Sequence, residues 1–311
     1  MPMRTIGGTN ANDACVRPMS LTRSNWAALL AAPTAVYMAV FFVIPTLILL
    51  VYSFWTAASY QVVPDFVFSN YLGSLSSSLF WKVTFNAVRI GLTTAAISLG
   101  MAIPVAYYLV YVSRSQAIFY LILLTWFSSY LVRIYAWRTL LGTNGVLNTV
   151  LLQLRIIDQP IDAFLFSSFA VTVTLVHIYL PFCILLVVSS LSEIKKDLIE
   201  AARDLGTSSL GAFFKVIVPN AASGLLSAFM MTFILVAGDY VTPQMLGGSS
   251  GQTTGLLIAD QFRKTGNWPL GAAQAFLIAL ITLILYLLLL IAGRATGLIH
   301  VRGRRRNAKE A

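Results

Sequence analysis

One compact group of charged side chains, at residues 193–219, separates two strongly apolar segments of the chain. Its centre reads EAARDLG and begins at Glu200. The carboxylate of Glu200 can pair with a basic group, and the small side chains of Ala201 and Ala202 let another protein surface come close. A segment of this kind can equally lie on lipid headgroups as a passive amphipathic helix. Residue chemistry alone leaves both interpretations open.

The spacing within this group predicts a helix, a sharp turn and a second helix. Apolar and small residues recur three and four positions apart, from Leu198 to Leu205, which places them on one helical face. Gly206 can adopt the left-handed conformation that closes a helix, and Ser208 or Ser209 can cap the next one. We predict that the second helix ends at Pro219, where the next apolar segment opens.

The sequence lacks the residue groupings of common catalytic and metal sites. No glycine is followed by lysine, so the chain has no G-x-x-x-x-G-K-[ST] phosphate loop for ATP. Its two histidines, His177 and His300, have no cluster of Cys or His around them. We expect no catalytic residue, no metal and no cofactor, and we interpret His177 as a neutral histidine bonded to a neighbouring helix.

Composition places the chain in a membrane. Only 10% of its 311 residues are charged, against roughly 25% in soluble domains, and the mean hydropathy is +0.80. Long windows without Asp, Glu, Lys or Arg can each hold the roughly 20 apolar residues of a spanning helix. The six windows predicted to span are 24–64, 90–113, 115–132, 163–192, 216–238 and 265–293.

Two other uncharged windows are predicted not to cross the membrane. The window 240–259 is rich in Gly, Ser, Thr and Pro, which indicates a loop. In 139–154, Asn144 and Gly145 break the pattern, and the apolar positions from Val146 onward predict a short amphipathic helix at the membrane surface. The second span carries small residues that should allow close helix packing: Gly91, Ala95, Ala96, Gly100 and Ala102.

Lys and Arg are concentrated on one predicted side of the membrane, and the positive-inside rule makes that side, with both termini, cytoplasmic. The net charge of +10 is therefore a topological signal, and we expect no nucleic-acid partner. The resulting division is a cytoplasmic tail (1–25), a first helix with a periplasmic loop (26–85), a five-helix core (86–293) containing the cytoplasmic segment 193–219, and a basic cytoplasmic tail (294–311).

Several segments together resemble a known family. EAARDLG, followed by FFKVIVP, is similar to the EAA loop of permease subunits of bacterial binding-protein-dependent ABC importers. Similarity to the spermidine/putrescine type extends to NAVRIGLTTAAISLGMAIPVAYYL at 86–109, SSYLVRIYAWRTLLGTNGVLN at 128–148 and GDYVTPQMLGG at 238–248. The resemblance implies an all-α integral membrane protein of the bacterial inner membrane, with six transmembrane helices and the type I ABC importer permease fold.

The resemblance also implies partners. These are a second permease subunit, identical or different, two ABC ATPase subunits and a periplasmic solute-binding protein, with membrane lipid around them. Segment 193–219 would be the coupling loop that sits in a cleft of the ATPase. Its proposed coupling residues are Glu200, Ala201, Ala202, Leu205, Gly206 and Pro219. The sequence departs from the family pattern at Val218 and in NAASG, so the path of 220–224 is left open.

Two aromatic segments hold candidates for the solute path. Asp239 offers a carboxylate and Tyr240 an aromatic face to a polycation, although Gly-Asp can also simply end a helix. Tyr135 and Trp137 could line an outer gate or belong to the interfacial aromatic belt.

The expected solute is a polyamine such as spermidine or putrescine. Opines, phosphonates, ferric ion and amino-acid derivatives are alternatives. A proton-coupled secondary transporter dependent on His177 or Asp239 is a further alternative, as is a non-transporting membrane scaffold. The acids of the outer segments, Asp65 and Asp260, are candidate contacts for the binding protein.

Overall fold

The structure is a computed structural model that describes residues 32–58, 61–113 and 116–295. The predicted tail 1–25 and the tail residues from 296 onward, with His300, lie outside these ranges. Clustering of contacts separates Met1–Val51 from Tyr52–Ala311. Helix α1 begins at Ala32 and ends at Tyr52, so all of it except its last residue belongs to the first unit.

The remainder is helical apart from one small antiparallel hairpin. In that hairpin, Thr56 lies opposite Val63. The elements, in chain order, are β1 (Thr56–Ala58), β2 (Gln61–Val63), α2 (Ser69–Ser76), α3 (Ser78–Val112), α4 (Ala117–Trp126), α5 (Tyr130–Leu141), α6 (Val146–Gln153), α7 (Ser168–Ser192), α8 (Lys196–Asp204), α9 (Ser209–Ala237), α10 (Thr254–Asp260) and α11 (Trp268–Ala295).

Five helices within the described ranges are long and apolar enough to cross a membrane: α1, α3, α7, α9 and α11. A sixth span exists if α4 and the helices after it count as one broken span. The third predicted span is therefore not a straight helix over 115–132, because the chain bends by 88° after Trp126. Ser129 is not helical there, with ψ 130°, and α5 then runs from Tyr130 to Leu141.

Helix α3 begins earlier than the uncharged window predicted, at Ser78 instead of residue 90. The hydroxyl of Ser77 caps the helix by accepting the N–H of Phe80 at 3.3 Å. Arg89 lies on this added part and donates to Asn86 Oδ1 at 2.9 Å and to Ser168 Oγ at 3.3 Å. A charged residue on the spanning helix is thus accommodated by polar side chains near its end.

Three helices, α3, α7 and α9, form the centre of the packing. Ala95 and Ala102 of α3 are fully buried, and Gly91 faces Phe233 of α9. The prediction of close packing through small residues is confirmed at these positions. Ala96 and Gly100 are exposed instead.

The prediction that a short helix ends at Pro219 is wrong, because residues 209–237 form the continuous helix α9. Residues Phe213–Ile217 are π-helical, and the N–H of Val218 bonds to Phe213 O. This wider turn gives room for the ring of Pro219 and tolerates its missing N–H. NAASG continues the helix, and Asn220 Nδ2 donates to Val216 O at 2.7 Å.

Window 240–259 was predicted to be a loop, but it contains the π-helical segment Pro243–Gly247 and most of α10. Neither is among the spanning helices. Thr254, the first residue of α10, is buried, and its Oγ1 donates to Thr84 Oγ1 of α3 at 3.0 Å. The short helix predicted within 139–154 is confirmed as α6.

We predict that Gly91→Leu destabilises the protein. A Cβ at this position would lie 2.8 Å from the ring of Phe233, which is fully buried. Overpacking of this kind typically costs about 1–3 kcal/mol of unfolding free energy. The measurement is the thermal unfolding midpoint of the purified protein in detergent. Gly100→Leu is the matched control on the same helix, since nothing lies within 4 Å of its Cβ; equal losses in both variants would contradict the packing assignment.

Candidate functional site

The segment around α8 forms the predicted helix and turn. Gly206 has φ +82°, its N–H bonds to Arg203 O at 2.9 Å, and the N–H of Thr207 bonds to Ala202 O at 3.1 Å. These two bonds form a Schellman motif, in which the left-handed residue is best filled by glycine. Ser208 Oγ then accepts the N–H of Gly211 and caps α9. The prediction for this turn is confirmed.

The α8 corner, defined here as residues 196–206, projects from the end of the bundle where α7 ends and α9 begins. Ile199 packs against the core from the inner face. Leu205 is 87% exposed and Leu198 49% exposed. Glu200 and Ala201 are also exposed. The corner therefore presents a carboxylate and apolar side chains outward on a backbone fixed by the Schellman turn.

Asp239 lies inside the protein, just after α9, with 7% of its surface exposed. Tyr130 Oη donates to its Oδ2 at 2.5 Å, and Thr242 Oγ1 donates to the same oxygen at 3.2 Å. The N–H of Thr242 donates to Oδ1 at 3.0 Å. Asp239 thus caps the helical turn that follows it and ties that turn to α5.

The neighbouring Tyr240 is 38% exposed and stands between two pockets. One pocket, of about 560 Å³, is formed by α5, the chain before α7 and the residues after α9 and α10. The other, of about 610 Å³, is apolar and lies between α9, α10 and α11. Both pockets include Tyr240 in their walls.

The two aromatic candidates on α5 point in different directions. Tyr135 is 53% exposed. Trp137 is half-buried, and its Nε1 donates to Nδ1 of His177 on α7 at 2.9 Å. This bond agrees with the interpretation of His177 as a histidine bonded to a neighbouring helix. The candidate acids Asp65 and Asp260 are also partnered, by Thr56 Oγ1 at 2.6 Å and Lys264 Nζ at 2.9 Å.

Sequence reasoning missed three residues of this site: Tyr130, Arg133 and Thr242. Arg133 is 8% exposed and donates to Ser128 O at 3.2 Å and Ile178 O at 3.1 Å. Its position at the edge of an apolar window was the available signal, since a charged residue there usually has a buried backbone or side-chain partner. Tyr130 and Thr242 carried no comparable signal.

Residues 85–300 match the family described as the inner membrane component of binding-protein-dependent transport systems. The chain belongs to this family. It is therefore an inner-membrane transport component, and its helices supply the spans that such a protein needs.

Relatives with similar sequences extend over most of the chain. The spermidine/putrescine transport system permease protein PotB of Escherichia coli (strain K12) is 32% identical over 85% of this chain and 95% of its own length. PotB of Haemophilus influenzae is 30% identical over 84% and 91%. A solved bacterial ABC transporter for the acidic polysaccharide alginate, 14% identical, covers 89% of this chain and 97% of its own with a TM-score of 0.72, which shows a shared fold.

We predict that Tyr130→Phe destabilises the protein. The substitution removes the O–H that donates to Asp239 and leaves a buried carboxylate short of one hydrogen bond. Loss of such a partner costs about 1–3 kcal/mol of unfolding free energy. The matched control is Tyr135→Phe on the same helix, because the Tyr135 hydroxyl has no hydrogen-bond partner in the described ranges. Thermal unfolding in detergent measures both; an unchanged midpoint for Tyr130→Phe would contradict the capping role.

Proposed function

We propose that this chain forms, with a second permease subunit, the translocation path of an ABC importer for a polyamine. A periplasmic binding protein delivers the solute, and two separate ATPase subunits supply the energy. Family membership and the similarity to PotB support the transport role. The observation that supports coupling to the ATPase is the α8 corner, where Leu205 is 87% exposed next to the turn at Gly206.

The α8 corner is the proposed ATPase contact. Three exposed side chains suit a groove on a soluble protein. Glu200 supplies a charge, Ala201 is small enough to allow close approach, and Leu205 supplies an apolar surface. Ala202 is half-buried and Gly206 sets the turn, so these two residues support the surface. Pro219 lies within α9, and its contribution is to the path of that helix.

Orientation follows from the same assignment. The ATPase is a cytoplasmic partner, so the α8 corner faces the cytoplasm and both termini lie on that side. The distribution of Lys and Arg along the sequence supports this direction. The absence of a phosphate loop from the sequence supports an ATPase on a separate chain.

For the solute path, we assign direct contact to Tyr240 and Tyr135, because both side chains are exposed. Aromatic faces attract the ammonium groups of a polyamine. Asp239 and Trp137 are placed behind this surface, since their polar atoms already bond within the chain. Their role on the path is to hold α5, which carries Tyr135, and the turn after α9, which carries Tyr240.

We expect Glu200→Ala, Leu205→Ser and Gly206→Pro each to reduce co-purification of the ATPase and solute uptake by about tenfold or more. The first two remove exposed contact groups, and proline cannot adopt φ +82°. Gly206→Asn is the matched control, because asparagine tolerates this conformation and nothing lies within 4 Å of the added Cβ. Asp158→Ala removes another exposed acid, at the other end of the bundle.

Membrane insertion should be unchanged in all five variants, as measured by the amount of folded protein in membranes. In a Cys15→Ser background, Leu205→Cys should react with a membrane-impermeant maleimide in inside-out vesicles and remain unlabelled in right-side-out vesicles. Unchanged ATPase association in Glu200→Ala, Leu205→Ser and Gly206→Pro would overturn the coupling assignment, and reversed labelling would overturn the orientation.

The proposed solute is tested by reconstituting the complete transporter and measuring ATP hydrolysis stimulated by its loaded binding protein. Spermidine or putrescine should stimulate hydrolysis, whereas opines, phosphonates, ferric ion and amino-acid derivatives should have no effect. Stimulation by one of these compounds and not by a polyamine would show that this compound, and not a polyamine, is the solute. Uptake driven by a proton gradient without ATPase subunits would instead support a secondary transporter.

A further inference from the structure

The pocket of about 560 Å³ beside Tyr240 carries two positive charges and no acid. Arg138 of α5 and Arg263, just after α10, both line it. Gln244 adds a polar side chain, and the remaining wall is apolar and aromatic: Leu131, Phe166, Tyr240, Val241 and Met245. Two guanidinium groups in one pocket repel a polyamine, so this surface has a different ligand from the proposed solute.

Both guanidinium groups have N–H donors that make no hydrogen bond within the described residues. The side chain of Arg138 has no hydrogen bond or ion pair with any residue from 32 to 295 that the structure describes. Arg263 makes one bond, from Nη1 to Gln244 Oε1 at 3.4 Å, which is long for a hydrogen bond. Three other cations of the described residues do have partners: Arg89 and Arg133 bond to neighbouring oxygens, and Lys264 pairs with Asp260.

The rim of this pocket is held in an uncommon backbone conformation. Phe166 has φ +58°, which bulky residues rarely adopt. Its carbonyl approaches Gly248, where a Cβ would lie 2.6 Å from Phe166 O. The next residue, Ser167, donates its N–H to Leu246 O at 3.1 Å and fixes the rim. Such conformations persist where the surrounding structure enforces them, and they are concentrated at functional sites.

The pocket and the α8 corner are at opposite ends of the bundle. Helix α7 runs from Ser168, beside the pocket rim, to Ser192, beside the α8 corner. Its 25 residues separate the two ends by about 37 Å, at 1.5 Å per residue. Under the proposed function the α8 corner is cytoplasmic, so the pocket opens to the periplasm, where the solute-binding protein arrives.

We infer that this arginine pocket receives an acidic side chain of the solute-binding protein when that protein docks. The inference rests on the proposed function. Guanidinium groups match a carboxylate in charge and in planar geometry, and each can donate two parallel N–H···O bonds. The apolar wall excludes water from such a contact and strengthens it. The pocket also keeps cationic solute away from this part of the entrance, which directs it towards the other side of Tyr240.

The test uses the complete transporter in nanodiscs and measures its affinity for the binding protein by biolayer interferometry. Arg138→Glu and Arg263→Glu should each weaken binding by about tenfold or more and reduce its dependence on salt. Lys264→Glu is the matched control, since Lys264 is an exposed cation next to Arg263 that does not line the pocket. Lys264→Glu should change the affinity less than about threefold, because Lys264 lies outside the pocket. Its exposed ion pair with Asp260 contributes little to stability.

Arg138→Gln retains a polar side chain of similar length and should weaken binding less than Arg138→Glu does, if the loss is electrostatic. Replacing the acids on the docking face of the binding protein by lysine, one at a time, should identify one change that restores binding to Arg138→Glu. Affinities of Arg138→Glu and Arg263→Glu equal to that of the unchanged chain would overturn the inference.

Lipid composition distinguishes a phospholipid headgroup from a protein carboxylate. The affinities are measured in nanodiscs of phosphatidylcholine alone and in nanodiscs that also contain phosphatidylglycerol. The same losses in both support the binding-protein contact; losses confined to the anionic lipid would overturn it in favour of a headgroup. If the unchanged transporter bound no binding protein, the proposed function itself would fail.

Discussion

Backbone groups that leave a helix within a membrane must find partners inside the protein, because the lipid offers none. This constraint applies after Trp126 and after Ala237, where two helices stop. Arg133 donates to Ser128 O at the first place, and Asp239 accepts the N–H of Thr242 at the second. The bond from Tyr130 to Asp239 joins the two places. The bend in the third span and the helical turn after α9 therefore depend on each other.

The positions of the exposed surfaces follow from this arrangement. Tyr240 comes directly after Asp239, so the bond to Tyr130 fixes the wall between the two pockets. Arg138 lies on α5, whose first residue is Tyr130. At the far end of α7 and α9, the Schellman turn at Gly206 fixes the α8 corner. Helices α7 and α9 thus connect the α8 corner, the proposed ATPase contact, with the end of the bundle that holds the proposed contact for a binding protein.

Much of this organisation could be predicted from the sequence, because it depends on local pattern. The apolar windows indicated the spans. Apolar and small residues spaced three and four positions apart, followed by Gly206, predicted the α8 corner. The small residues of α3 indicated its packing at Gly91 and Ala95. Predictions failed where distant contacts decide the outcome. Pro219 was expected to end a helix, but the π-helical turn before it keeps α9 continuous.

The sequence by itself determined that the chain is a membrane protein without a phosphate loop and that residues 196–206 form a capped helix. Composition and residues a few positions apart suffice for these conclusions. Only the tertiary structure decided that Asp239 is bonded internally, that Trp137 turns to His177, and that Arg138 and Arg263 share one pocket. Tyr130 and Asp239 are 109 positions apart. No local pattern encodes such a pair, because it is the packing of α5 against the end of α9 that brings the two side chains together.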